Sequence, residues 1–155
     1  MSLQVGQTAP QFKSYDTEKK EINLSDFKGR PVVLLFFPFA FTSTCTAEMC
    51  SVRDDIAHYN KLNAEVIGIS VDSLHSLKKY KAEQNLNFTL LSDFNKTISR
   101  DYDTIYETFA GWMHGVSKRS AFVVDKDGII QYAEVLENAG EIPDLAAVKK
   151  VLENL

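Results

Sequence analysis

The chain is poor in the residues that staple, interrupt or anchor a protein. Among 155 residues there are two cysteines, four prolines and one tryptophan. So few cysteines exclude a disulfide-dense secreted framework. The longest apolar run, around residues 32–41, is about ten residues, half of the ~20 that a membrane-spanning helix needs. Residues 1–10 show neither a charged n-region nor an apolar h-region, so no secretory leader is expected. No Lys/Arg cluster stands out and the formal net charge is −4, which argues against nucleic acid as a partner. Linkers, internal repeats and low-complexity tracts are missing. Together these absences predict one domain over residues 1–155, cytoplasmic, with reduced thiols and no membrane contact.

What is present is an ordinary globular composition, 45% hydrophobic and 25% charged, in a regular order. Residues 12–16 and 21–24 flank a charged turn and read as a small hairpin. Residues 25–29 read as a short turn closed by Gly29. Residues 32–37 are solidly apolar, as in a strand buried on both faces. Met49, Val52, Ile56 and Tyr59 then recur at helical spacing, with Cys45 on the same face. Residues 65–72 form a second buried strand, and residues 73–84 a helix capped by Asp72 or Ser73. A short strand at 88–91, a short helix at 96–102 and two strands at 120–125 and 129–135 follow. The Lys126-Asp127-Gly128 turn joins that last pair as a hairpin. Residues 144–155 close the chain as a helix. Strands alternating with helices imply an α/β fold, a central mixed β-sheet flanked by helices, with an N-terminal β-hairpin and an antiparallel pair near the end.

The chemistry concentrates at Cys45. It follows the carboxyl end of a central strand, where open α/β sheets carry their sites. It also lies in the first turn of a helix, near unpaired backbone N–H groups and the positive end of the dipole. Both favour the thiolate, which is the reactive form. Thr42 sits three residues earlier, and its hydroxyl can accept from the thiol or donate to a substrate oxygen. Pro38 ends the strand and stiffens the loop beside the sulfur. The segment lacks a cation. Arg119, just before the strand at 120–125, is the candidate. A guanidinium at the sulfur would favour the thiolate further and polarise a substrate oxygen. Glu48 and Arg53 are read as solvated helix charges, with orientation of Arg119 or Cys45 as the alternative. His58 reads as a surface or partly buried side chain. His114 and Trp112 sit in a glycine-flanked loop that reads as an exposed interaction patch or a lid.

The run Pro38-Phe39-Ala40-Phe41-Thr42-Ser43-Thr44-Cys45 resembles the peroxiredoxin motif, a proline, three residues, Thr or Ser, two more, and the catalytic cysteine. Arg119-Ser120-Ala121-Phe122-Val123-Val124-Asp125 resembles the family's later arginine strand. The likeness runs from Val5 to the last helix and is nearest the small bacterioferritin-comigratory and alkyl hydroperoxide reductase E types. Phe39-Ala40-Phe41-Thr42 is more similar to the latter. The resemblance implies a thioredoxin-like fold and a thiol peroxidase without metal or organic cofactor. Cys45 would attack a peroxide and become a sulfenic acid, with Thr42 and Arg119 positioning the peroxide. Thioredoxin or glutaredoxin would be the reductant, and the protein a monomer or homodimer. The apolar Phe39, Phe41 and Trp112 lean toward organic hydroperoxides.

The resemblance further implies that Cys50 resolves the sulfenic acid as an intramolecular disulfide. Five residues along an intact helix leave the α-carbons roughly 8–9 Å apart, beyond the roughly 7 Å that a disulfide tolerates. The helix would have to unwind for the two to pair. The alternative is a core Cys50 and a one-cysteine enzyme resolved by an external thiol. Two rival functions share the residues: a peroxide sensor that hands its oxidation to a partner, and a thiol/copper-binding redox protein using Cys45, Cys50 and His114. The thioredoxin type needs Cys-x-x-Cys and a proline facing the site. This chain lacks the first, and none of Pro10, Pro31, Pro38 and Pro143 lies near Ser120.

Overall fold

The computed structural model describes residues 3–155, so the first two residues of the segment read for a leader, and of the expected 1–155 domain, lie outside the described residues. Strands β1 (Lys13–Asp16), β2 (Glu21–Asn23), β3 (Val32–Phe36), β4 (Glu65–Ser70), β5 (Thr89–Ser92), β8 (Ser120–Val124) and β9 (Ile130–Val135) form one mixed sheet in the order β2-β1-β5-β4-β3-β8-β9. Two short strands, β6 (Ile105–Tyr106) and β7 (Val116–Ser117), pair separately, and the sequence pattern had not marked them. The helices are α1 (Ser43–Asp54), α2 (Ile56–Lys61), α3 (Leu74–Gln84), α4 (Thr97–Asp101) and α5 (Leu145–Glu153). None of the described helices is long and apolar enough to cross a membrane.

The unbroken apolar run of β3 follows from its place at the middle of the sheet. Val33 and Leu35, with Phe37 beyond them, face a core built on α1, α2, α3 and α5, through Met49, Val52, Tyr59, Leu77, Tyr80, Val148 and Leu152. Val32, Leu34 and Phe36 face the opposite core, with Ile98 of α4, Tyr102 and Phe122. A strand clothed on both faces has no position for a polar side chain. Gly68 in β4 serves the first core: a Cβ there would lie 2.8 Å from Leu90 Cδ2, so a larger residue would push the Leu90 side chain aside.

β3 pairs in parallel with β4, as the alternating elements implied, and β4 with β5. β8 runs antiparallel to β3, and β9 forms the edge. The N-terminal hairpin extends the sheet through β1 on β5. Ser73 is the cap of α3, accepting from Ser76 N, and Asp144 caps α5 by accepting from Ala147 N. One expectation needs correction. The helical spacing from Cys45 to Tyr59 suggested one helix, whereas the chain kinks at Asp55 between α1 and α2. Asp55 is a poor interior helix residue; its N–H bonds to Val52 O, three residues back, and its carboxylate is held by Lys149.

Candidate active site

The end of β3 delivers the chain into a short loop that several neighbours constrain. Pro38 is buried and ends the strand pairing. Asp72, just past the parallel neighbour β4, accepts from Ala40 N at 2.8 Å and from the Ser70 hydroxyl at 2.7 Å. Burial raises the Asp72 pKa, and those two donors work against the rise. Phe41 takes a left-handed φ of +68°, a strained choice for a bulky residue. Its ring packs edge-on against Tyr80 of α3, centroids 5.1 Å apart. Tyr80 in turn donates to Thr46 Oγ1 at 3.0 Å, tying the first turns of α1 to α3.

Thr42 is the N-cap residue of α1, yet no side chain caps that turn. Its hydroxyl donates to Phe39 O at 3.0 Å. The N–H groups of the first helical turn are left without a side-chain acceptor, in the geometry that suits a negative oxygen.

Cys45 occupies the third position of α1 and is fully buried. Arg119 reaches it. Nη2 lies 3.1 Å from the sulfur, and Arg119 as a whole is only 1% exposed. Sheet register explains the meeting. Phe36, the last residue of β3, pairs with Ser120, the first of β8, so the residue before β8 arrives where β3 ends. The backbone around Arg119 is held by hydroxyls that sequence reasoning missed. Thr104 Oγ1 and Ser120 Oγ lie 3.0 and 2.8 Å from Lys118 O and also against each other, so one hydroxyl donates to the carbonyl and the other donates to its neighbour. Ala139 O, just beyond β9, accepts from Arg119 Nε and Nη2 at 3.1 and 2.8 Å.

Glu48 overturns the reading of a solvated helix charge. It is fully buried, and its Oε1 accepts from Arg119 Nη1 at 2.8 Å. Burial outweighs the downward pull of Arg119 and, with Glu134 adding to the rise, pushes its pKa up to about 7. Its Oε2 is buried with no hydrogen-bond partner among the described residues. Burial opposes the Arg119 charge, but Cys45 and Glu48 outweigh it and the net pKa shift is upward, so the guanidinium stays charged. The signal was available: Glu48 is three residues after Cys45, hence on the same helix face. Arg53, in contrast, turns to Asp54 and to Gln84 O and does not join the cluster.

Cys50 lies on the same unbroken helix, partly buried, its thiol 3.6 Å from Gln84 Oε1. Both cysteines are free. His114 is exposed, with Nδ1 near Glu107 O, and His58 is half-buried beside Glu153. Trp112 is 70% exposed, which favours the patch reading over the lid. The residue of its loop that meets the active-site loop is Phe109, edge-on to Phe39 at 6.1 Å.

Comparison with known proteins gives a consistent picture. Residues 5–133 match the model of the AhpC/TSA family. The chain is 40% identical over 127 residues to the chloroplastic peroxiredoxin Q of rice, covering 82% of this chain but only 57% of the rice protein. It is 34% identical over 131 residues to peroxiredoxin Bcp of Escherichia coli K12, covering 84% of each. Among solved structures, the peroxidoxin BcpB of Mycobacterium tuberculosis superposes with a TM-score of 0.87 at 27% identity, over 99% of this chain and 98% of that one.

Proposed function

The chain belongs to the AhpC/TSA family, and from that premise we propose that it is a thiol peroxidase that reduces hydrogen peroxide and organic hydroperoxides through a sulfenic acid on Cys45. The observation that supports this best is the Arg119 guanidinium, buried and 3.1 Å from the Cys45 sulfur. The Cys45 thiolate attacks the terminal peroxide oxygen and the O–O bond breaks. The sulfur is oxidised by two electrons, and water or an alcohol leaves. Arg119 and the open first turn of α1 face the oxygen that becomes negative, and a strong donor of this kind is worth on the order of 3 kcal/mol in the transition state. Thr42 turns its hydroxyl from Phe39 O to the peroxide, and Pro38 keeps the loop rigid beside the sulfur.

Cys50 is the resolving cysteine of this reading. Cys45 and Cys50 share α1, and an intact helix keeps their α-carbons roughly 8–9 Å apart. Disulfide formation therefore requires the start of α1 to unwind, giving up Tyr80–Thr46 and Cys50–Gln84. Circular dichroism tests this: the oxidised protein loses helix, and a Cys45–Cys50 disulfide with unchanged helicity would reject it. Thioredoxin or glutaredoxin reduces the disulfide in the cytoplasm, the protein acting as monomer or homodimer. The aromatic Phe39 and Phe41 of the active-site loop favour organic hydroperoxides; Trp112, exposed away from that loop, no longer adds to this preference. Copper binding is disfavoured by a guanidinium on the sulfur, which repels a metal cation, and by His114 being engaged elsewhere.

The experiment is intact-mass analysis of wild type, Cys45→Ser and Cys50→Ser after one equivalent of peroxide. A disulfide in wild type and a sulfenic or sulfinic adduct in Cys50→Ser are expected. Oxidation that does not depend on Cys45 removes the reading. Sustained turnover with a thioredoxin system separates the enzyme from a sensor.

A further inference from the structure

We propose that Glu48 is the proton reservoir of the peroxide-reducing step: it holds a proton while Cys45 is a thiolate and yields it as the departing peroxide oxygen becomes an anion. The proposal rests on the thiol-peroxidase reading of Cys45.

The geometry behind it is a buried cation shared between two acids. Arg119 gives Nη1 to Glu48 and Nη2 to Cys45, and all three side chains are sealed from solvent. Were both acids ionised, the cluster would carry one uncompensated negative charge in the interior, and like charges at such range are costly. Glu48 is poorly placed to stay ionised, because its Oε2 has no donor among the described residues. A buried carboxylate oxygen without a donor costs more than a neutral carboxyl in the same place. Burial also pushes the Glu48 pKa up to about 7, so this carboxyl holds a proton more readily than an exposed one.

Other charged or titratable groups around Glu48 do not supply the missing cation. Glu134 of β9 adds negative charge, its Oε1 already accepting from Tyr132 and from Asp144 N. Tyr59 of α2 and Tyr80 of α3 are phenols pushed up to about 12, hence neutral.

Oxidation reverses the balance. The step reads Cys45–S⁻ plus ROOH plus Glu48–COOH giving Cys45–SOH plus ROH plus Glu48–COO⁻. One S–O bond forms and one O–O bond breaks, sulfur loses two electrons, and the carboxyl proton ends on the alcohol or water. The sulfenic acid no longer claims the guanidinium, so Arg119 becomes the full counter-ion of Glu48. The charge of the cluster is the same before and after, and no proton is drawn from bulk water.

Proton counting tests this. The Cys50→Ser protein, which stops at the sulfenic acid, is mixed with one equivalent of hydrogen peroxide in weak buffer with a pH indicator, just below pH 7. The ultraviolet absorbance of the thiolate is followed in the same mixture. Loss of the thiolate with no net proton uptake is expected. The Cys50→Ser, Glu48→Gln protein should instead take up one proton for each thiolate lost. The infrared carbonyl band of a protonated carboxyl should be present in the reduced Cys50→Ser protein and vanish on oxidation, so the test stands if the Gln protein fails to fold. Thiolate loss with uptake of one proton while Glu48 is present overturns the proposal and leaves the peroxidase reading intact. Absence of any thiolate at Cys45, with no Cys45-dependent oxidation, overturns that reading and the proposal with it.

Discussion

Two cysteines share one helix and differ in almost everything else. Cys45 is fully buried in the first turn of α1 and receives a charged N–H from Arg119. Cys50 is partly exposed mid-helix; its hydrogen-bond contact is the neutral amide of Gln84 at 3.6 Å, and the nearby Arg53 guanidinium is bound to Asp54 and Gln84 O. The difference teaches that reactivity comes from what the rest of the fold brings to the sulfur. The start of a helix favours an anion, but a counter-charge fixed in a dry pocket has a larger effect, because low dielectric strengthens it. Cys50, with a weak neutral contact, is suited to leave its place.

The sharpest way to break the comparison is to remove each thiol. Cys45→Ser should lower peroxide consumption by at least about 10⁴-fold. Cys50→Ser should leave the first oxidation intact and stop disulfide formation, both read by stopped-flow and intact mass. Equal loss of the first oxidation in the two proteins would mean that they are not functionally distinct. Next comes the charge. Arg119→Met should lower the second-order rate with peroxide by about 10²–10³-fold. Alkylation of Cys50 should be unchanged, since its contact is to Gln84.

Glu48 offers a test through stability. Its folded-state pKa is raised from 4.5 to about 7, so the folded protein holds that proton more tightly than the unfolded chain. Its contribution is therefore favourable below about pH 4.5 and is lost as pH climbs toward about 7, by on the order of 3 kcal/mol at most. Urea unfolding at the two ends of that window should show the slope, and Glu48→Gln should flatten it. The smallest effect belongs to the tether between α1 and α3. Tyr80→Phe deletes the hydrogen bond to Thr46, a loss of about 1 kcal/mol, and should speed Cys45–Cys50 disulfide formation about fivefold. Slower disulfide formation would show that the tether does not oppose unwinding.

Much of this molecule was legible from its residues. The apolar run of β3, the capping serine of α3 and the Asp127-Gly128 hairpin all express local rules of periodicity and turn chemistry. The kink at Asp55 escaped because the helical spacing of apolar residues continues across it, while backbone hydrogen bonds do not. The pair β6–β7 escaped because two-residue strands carry no periodicity. At the site, Glu48 was visible at the right spacing but was assigned to solvent, since a helix charge is usually solvated. Asp72, Tyr80, Thr104 and the Ala139 carbonyl had no local signature, because each acts on a residue distant in sequence.

The sequence by itself determined that a thiol would open a helix after a buried strand, because those features depend on neighbours within a few residues. It also named Arg119 as the cation such a thiol needs. Only the tertiary structure decided that the two would meet, through the register that pairs Phe36 with Ser120. It alone made Glu48 a buried acid with a spare oxygen, because burial and counter-ions are properties of packed surfaces from several elements.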